Sequence, residues 1–306
     1  MTVTAPSPST LEASPLRQSL GLLWRDKFAF VSALFLLFVI GAALFGPYLV
    51  GSGGNKINLM ARNAPPLSIH LGWHYFLGAD SLGRSIFLRL IVGARNTVML
   101  AASAVFCSLV VGSVLGFIAG YRNDWTSGMI MRMADILMSF PSLLLALIVL
   151  YVLDPGVTNV ILVLAVTRVP IFLRTARAEV LEVRERTFVV AARVMGASPW
   201  RILWRHIRPT VMPTLVTIAT LEFALVMLSE SSLSFLGLGI QAPEFTWGAM
   251  VAQGQSYLGT AWWVAFWPGL AITLTAMSLN LLANWVRIVS DPVQRWRLET
   301  RTHTNG

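Results

Sequence analysis

Apolar residues fall along this chain in long blocks, separated by stretches where arginine, proline and glycine collect. Phe28 to Val50 holds no charge at all. It is long enough to cross a hydrocarbon core, which takes about 20 apolar residues. A polar, Gly/Pro-containing stretch follows, from Gly51 to about Arg95, long enough to form a substructure of its own. The pattern predicts a second span over Asn96 to Tyr121, a third over Met133 to Leu153 and a short fourth over Val157 to Leu173. A basic segment from Arg174 to Arg208 separates these from a fifth span, Thr210 to Phe235, and a sixth, Trp263 to Val289. Gly112, Gly116 and Gly120 recur at four-residue spacing, so one helical face can admit a neighbouring helix closely. Asp154, Pro155 and Gly156 read as a turn.

Composition agrees with this reading. Of 306 residues, 56% are hydrophobic and only 12% charged, about half the charged share of a soluble domain, and mean hydropathy is +0.69. The net charge of +9 is explained by the positive-inside rule better than by nucleic acid. Of the 23 lysines and arginines, seventeen fall on the side of both termini, five outside, and Arg168 within a span. Six spans with both ends cytoplasmic follow. The lone Cys107 is expected as a small buried packing residue. Residues 1–27 are expected to be a disordered cytoplasmic N-terminus and 290–306 a cytoplasmic tail, flanking a first helix over 28–50, an extracytoplasmic loop over 51–95 and a core over 96–289.

Inside the basic segment, Glu182 and Arg186 stand in the favourable i,i+4 order, and Val180, Val183, Val190 and Val194 can share a stripe. Gly196 suits a helix end. Ser198 can cap the next helix, with Pro199 in its first turn. In that short helix Trp200, Leu203, Trp204 and Ile207 form one face and Arg201, Arg205 and Arg208 another, with Pro209 discouraging continuation. Helix, hinge and short helix suit either an element anchored to anionic lipid or one that docks a soluble partner. The residues alone leave these two close.

The segment resembles the EAA motif of ABC-importer permease subunits. Ala191, Ala192, Gly196, Ile207 and Pro209 match it, and Val190 stands where the motif has glutamate. Leu77 to Val98 resembles the signature of the dipeptide/oligopeptide permease group at Asp80, Gly83, Arg84, Arg89, Gly93, Ala94 and Arg95. Arg132 to Leu147, Ser229 to Gly254 and Phe266 to Pro292 are similar to further blocks of that group. The resemblance implies an all-α integral membrane protein of six transmembrane helices with a cytoplasmic coupling helix between the fourth and fifth, like type I ABC-importer permeases. It implies a non-catalytic subunit with no cofactor of its own, ATP and magnesium being bound by two partner ABC ATPase subunits. The other partners implied are a paralogous permease chain, an extracytoplasmic substrate-binding protein, membrane lipid and a peptide cargo, with nickel or glutathione as alternatives. Its coupling segment, 178–209, would engage the ATPase through Ala191, Ala192, Gly196, Ala197, Ser198, Pro199, Trp200, Arg201, Ile207 and Pro209.

Other residues draw attention for their chemistry. Charge within a span is costly unless paired or functional, so Glu222 and Glu230, with Ser231, are candidates for a substrate path or for interhelical pairing. Asp135 is expected to pair with Arg132 or a neighbouring span. Asp80, Gly83, Arg84, Gly237, Gly239 and Trp247 are candidates for binding-protein docking or an outer gate. His70 and His74 have i,i+4 spacing, but no third ligand accompanies them. An ATP-independent carrier is the rival class; the inverted repeat such carriers often show is not evident.

Overall fold

The computed structural model describes residues 23–24, 26–122, 124–153, 156–240 and 244–290. The expectations for the N-terminus through residue 22, for the Asp154–Pro155 part of a turn, and for the tail from residue 291 lie outside them. Among the described residues five helices are long and apolar enough to cross a membrane, and a bent pair makes a sixth if counted as one span.

The first helix, α1, is Lys27–Val50; the Asp26 carboxylate caps it, accepting the N–H groups of Phe28 and Ala29 at 3.1 and 3.2 Å. The second, α2, is Ile86–Tyr121, capped by Ser85. It therefore begins inside the stretch expected as loop. At 36 residues it is about 54 Å long at 1.5 Å per residue, well beyond a hydrocarbon core of about 30 Å. The sequence hides this because Arg89 and Arg95 lower the hydropathy of its first turns, where Arg89 is buried and Arg95 half-buried.

Before α2, residues 56–85 fold into short 3-10 turns around buried Ala61, Ala64, Tyr75 and Ala79. His70 and His74 sit in separate turns, Ile69–Leu71 and Trp73–Leu77, so their spacing is not that of one helix face.

The expected third span is two helices, Trp125–Ser139 (α3) and Ser142–Leu153 (α4), set at 87° to each other. Pro141 is the cause. It has no N–H to continue the helix, and it forces the preceding residue out of the helical region; Phe140 lies at φ −96°, ψ 138°. Asp124 starts α3, accepting the N–H groups of Thr126 and Ser127.

The fourth span is not short. Helix α5, Val157–Val183, continues through Pro170 and carries the first residues of the basic segment. The three glycines of α2 meet it as their spacing predicts. A Cβ on Gly112 would lie 2.6 Å from Phe172 Cβ, one on Gly116 2.5 Å from Ala176 Cβ, and one on Gly120 2.7 Å from Val180 Cβ.

A break at residues 184–186 then precedes α6, Thr187–Val194. This break dissolves the expected valine stripe: Val180 and Val183 are buried in α5, whereas α6 buries Val189 and Ala192 and exposes Val190 and Val194. Next come α7, Pro199–Ile202, a π-helical turn over Leu203–Ile207, and α8, Arg208–Phe235. Pro209 does not stop the helix. It sits in the first turn of α8, and the π turn lets the Arg208 N–H reach back to the Leu203 carbonyl. Helix α9, Trp247–Gln255, is short, and α10, Trp263–Ser290, is the last. The core lies among α2, α5, α8, α9 and α10, with α1 packed against α2 and α10 through Val39 and Ala43. Cys107 is exposed on α2 rather than buried, because it faces away from the glycine-lined contact with α5.

Candidate coupling surface and membrane path

Gly196 lies at φ +84°, the left-handed conformation that ends helices at glycine. Its N–H donates to the Arg193 carbonyl at 3.1 Å, and the Ala197 N–H donates to the Ala192 carbonyl at 3.0 Å. The chain thereby turns sharply into Ser198, whose hydroxyl accepts the Arg201 N–H at 3.4 Å, and Pro199 opens α7. Buried Ile202 and Ile207 hold this short helix against the bundle. Outward it presents Val194, Met195, Trp200 and Arg201. Trp200 and Trp204 meet at a tilt of 57° with centroids 5.2 Å apart, and the Arg208 guanidinium lies 4.6 Å from the centroid of the Trp204 ring. Ala191, Ser198, Pro199 and Pro209 are exposed, Ala197 half-buried and Ala192 buried. This is a rigid, capped knob with an apolar and basic outer surface, the kind of exposed patch that marks an interaction site. Its salt-linked base includes Glu182 and Arg186, 2.7 Å apart.

The acidic candidates separate into two places. Glu222, near the middle of α8, is 7% exposed and faces Arg168, near the middle of α5, at 3.5 Å. A second Arg168 nitrogen donates to the Ser229 hydroxyl at 2.8 Å. Glu230, by contrast, is 1% exposed and accepts the hydroxyls of Ser234 and Thr246 at 2.7 Å each. Thr246 also caps α9 through the Ala249 N–H, so Glu230 clasps α9 to α8. Gly248 permits that contact, since a Cβ there would lie 2.5 Å from Ser231 Cα. Ser231 itself donates to the Met227 carbonyl. Asp135 pairs with Arg174 of α5, not Arg132.

The outer candidates are tied together rather than displayed. Asp80 is 3% exposed. One of its oxygens accepts the N–H groups of Leu82 and Arg84, the other the guanidinium groups of Arg84 and Arg89 at 2.7 and 2.8 Å. Arg89, which sequence reasoning left as a motif match, is the fully buried centre of this cluster; it also donates to Gln253 and lies over the Phe245 ring. Gly83 turns at φ +71°, with space for a Cβ denied by the Asn58 carbonyl. Trp247 is buried, its ring N–H donating to the Leu90 carbonyl. Gly237, at φ +82°, and Gly239 end α8 just before this region. Arg168 and Arg89 were visible as charges among apolar residues, but their partners lie far along the chain and carry no sequence signal.

Together these features define a polytopic helical membrane protein with a capped, exposed knob between its fourth and fifth spans and a polar pair within the bundle. Residues 112–295 match the family model for the binding-protein-dependent transport system inner membrane component, and residues 14–66 match that for the N-terminal TM domain of oligopeptide transport permease C. The chain belongs to the family of binding-protein-dependent transport system inner membrane components.

Among its relatives, a di/tripeptide transport system permease protein of Pseudomonas aeruginosa is 35% identical over 94% of this chain and 95% of its own. A probable D,D-dipeptide transport system permease protein of Escherichia coli K12 is 35% identical over 89% and 90%. A glutathione transport system permease protein of another Escherichia coli strain is 39% identical over 88% and 87%. Two inward-facing crystal forms of the MetNI methionine ABC transporter share the fold. Their TM-scores are 0.55 and 0.56 at 19% and 20% identity, over 67% and 66% of this chain and 97% and 96% of theirs.

Proposed function

We propose that this chain is one of two permease subunits of an ATP-driven importer of di- and oligopeptides, seated in the bacterial inner membrane with both termini in the cytoplasm. A paralogous chain completes the path, a binding protein delivers cargo from outside, and two ABC ATPase subunits bind ATP and magnesium below. The observation that carries this reading is the capped knob at Gly196–Pro199, with Trp200 and Arg201 outward, in a chain of this family.

The knob is held in one direction by the Gly196 turn and two buried isoleucines. A partner that closes on ATP can therefore push it as a rigid body and tilt α8, which continues from it. Ala191, Ala192, Ala197, Ser198, Ile207 and Pro209 build and orient the knob; Trp200 and Arg201 meet the partner. The chain itself performs no bond chemistry in this scheme. Glutathione is a second cargo reading, favoured by the names of two relatives. It is itself a small peptide-like molecule, so the same machinery would serve.

The test is uptake and ATP hydrolysis in the reconstituted transporter. Gly196→Pro cannot adopt φ +84°, so it is expected to leave assembly and binding-protein delivery intact while uptake per ATP collapses. Reversing the charge at Arg201 should weaken ATPase attachment. Normal uptake in the Gly196→Pro variant would defeat the coupling assignment.

A further inference from the structure

A cavity of about 270 Å³ opens at the bend between α3 and α4. It is lined by Phe140 and Ser142 from the bend, Thr167 and Arg168 from α5 and Glu222 from α8. Two buried polar atoms here have no hydrogen-bond partner among the described residues, Arg168 Nε and Glu222 Oε2. Buried polar groups are almost always satisfied, and an unsatisfied charged group costs more than a neutral one. The two side chains meet only through Arg168 Nη1 and this same Oε2, at 3.5 Å, too long for a hydrogen bond. A loose ion pair whose two residues line one cavity, with the Nε donor unused, is therefore one that a ligand can open and complete. The bend adds a further feature. Ser142 begins the twelve-residue α4, and a helix N-terminus favours negative charge.

We propose that Arg168 and Glu222 form a mid-membrane binding site for the free carboxylate and free ammonium of a short zwitterionic peptide. Charge balance selects this ligand. A lone anion on Arg168 would strip Glu222 of its counter-charge, and a lone cation on Glu222 would strip Arg168; either leaves a buried unpaired charge, which is strongly unfavourable. A zwitterion replaces one pair by two, with no net charge brought in. Its carboxylate accepts hydrogen bonds from the Arg168 Nε–H and from the N–H groups of the first turn of α4, and its ammonium donates to Glu222 Oε2 once that oxygen is released from Arg168 Nη1. Ser229 keeps the other guanidinium nitrogen in place. A dipeptide spans at most about 7 Å, close to the edge length of a cube of 270 Å³.

The proposal rests on the peptide-import reading, and the experiment separates the two. In the assembled transporter, Ser142→Cys in a Cys107→Ser background places a small thiol at the cavity. Its rate of alkylation is measured in vesicles with alanyl-alanine, N-acetyl-alanyl-alanine or alanyl-alaninamide present, and uptake of alanyl-alanine is followed in the same vesicles. Phe140→Cys serves as the reporter if Ser142→Cys does not assemble. Alanyl-alanine is expected to slow alkylation while neither capped peptide does. Arg168→Gln or Glu222→Gln should raise the half-protecting concentration about tenfold or more, the loss expected for one charge-assisted hydrogen bond. The double Gln variant, in which neither charge is left unpaired, should lose protection while still assembling. Uptake without protection, or equal protection by all three peptides, overturns the zwitterion site and leaves the import reading standing. Absence of both uptake and protection overturns both.

Discussion

Gly116 decides how closely α2 and α5 can approach. A methyl group there would stand 2.5 Å from Ala176 Cβ and 2.7 Å from the Leu173 carbonyl, and neither neighbour can rotate away. Overpacking of this kind costs about 1–3 kcal/mol, so Gly116→Ala is expected to lower the unfolding temperature of the detergent-purified chain. Gly128, on α3, has nothing within 4 Å of its added methyl. Gly128→Ala is expected to leave that temperature unchanged or raise it, since alanine is the better helix former by about 1 kcal/mol. Asp80 offers a second case. Asp80→Asn would leave Arg89, 1% exposed, with an uncompensated charge, a loss of about 3–5 kcal/mol for a broken buried pair. Faster proteolytic cutting within residues 56–85 is the expected sign, with α2 to α10 still assembled. At this scale the glycine contacts were legible in the sequence, because spacing alone puts them on one face. The partners of Arg89 and Arg168 were not, because a tertiary pair has no local period.

Among the elements, the departures from simple hydropathy all have identifiable causes. Pro141 breaks the third span because nothing can supply its missing N–H, and the apolar residues on both sides conceal the bend from any windowed reading. Pro170 and Pro209 carry the same defect yet do not interrupt their helices. At Pro209 the π turn over Leu203–Ile207 takes up the difference. A π turn is equivalent to one extra residue in the helix. Pro209→Ala would let that turn relax to α-helix and rotate α7 relative to α8 by up to about 100°, one residue's helical phase. Trp200 and Arg201 would then face a different direction, so uptake is expected to fall while the chain still assembles with its partners. Unchanged uptake would mean that the orientation of the knob, set by this turn, has no part in coupling. The capped hinge, by contrast, could be read directly: Gly, Ser and Pro at 196, 198 and 199 each have one local conformation that suits them, and the chain adopts all three.

For the whole molecule, the chain presents three levels of polar structure within an apolar bundle. The cap over the start of α2 is locked by Asp80, Arg84 and Arg89. The middle holds the Arg168–Glu222 pair beside the broken helix. At the far end stands the knob, joined without a break to α8. Family membership and the number of spans followed from patterns distributed along the sequence; the depth at which each charge sits followed only from the packing. In the proposed function the knob is the element through which an attached motor moves the path, and that is the claim to test first. A single cysteine at Trp200 in a Cys107→Ser background, which substitutes an exposed side chain of α2, would be photo- or thiol-crosslinked in native membranes and the adducts identified by mass. The expected product joins this chain to an ATP-binding subunit, with a yield that changes when ATP is trapped. Adducts confined to lipid or to a second copy of this chain, in membranes where the ATPase is present, would contradict the coupling role and return the segment to a helix that rests on the membrane surface.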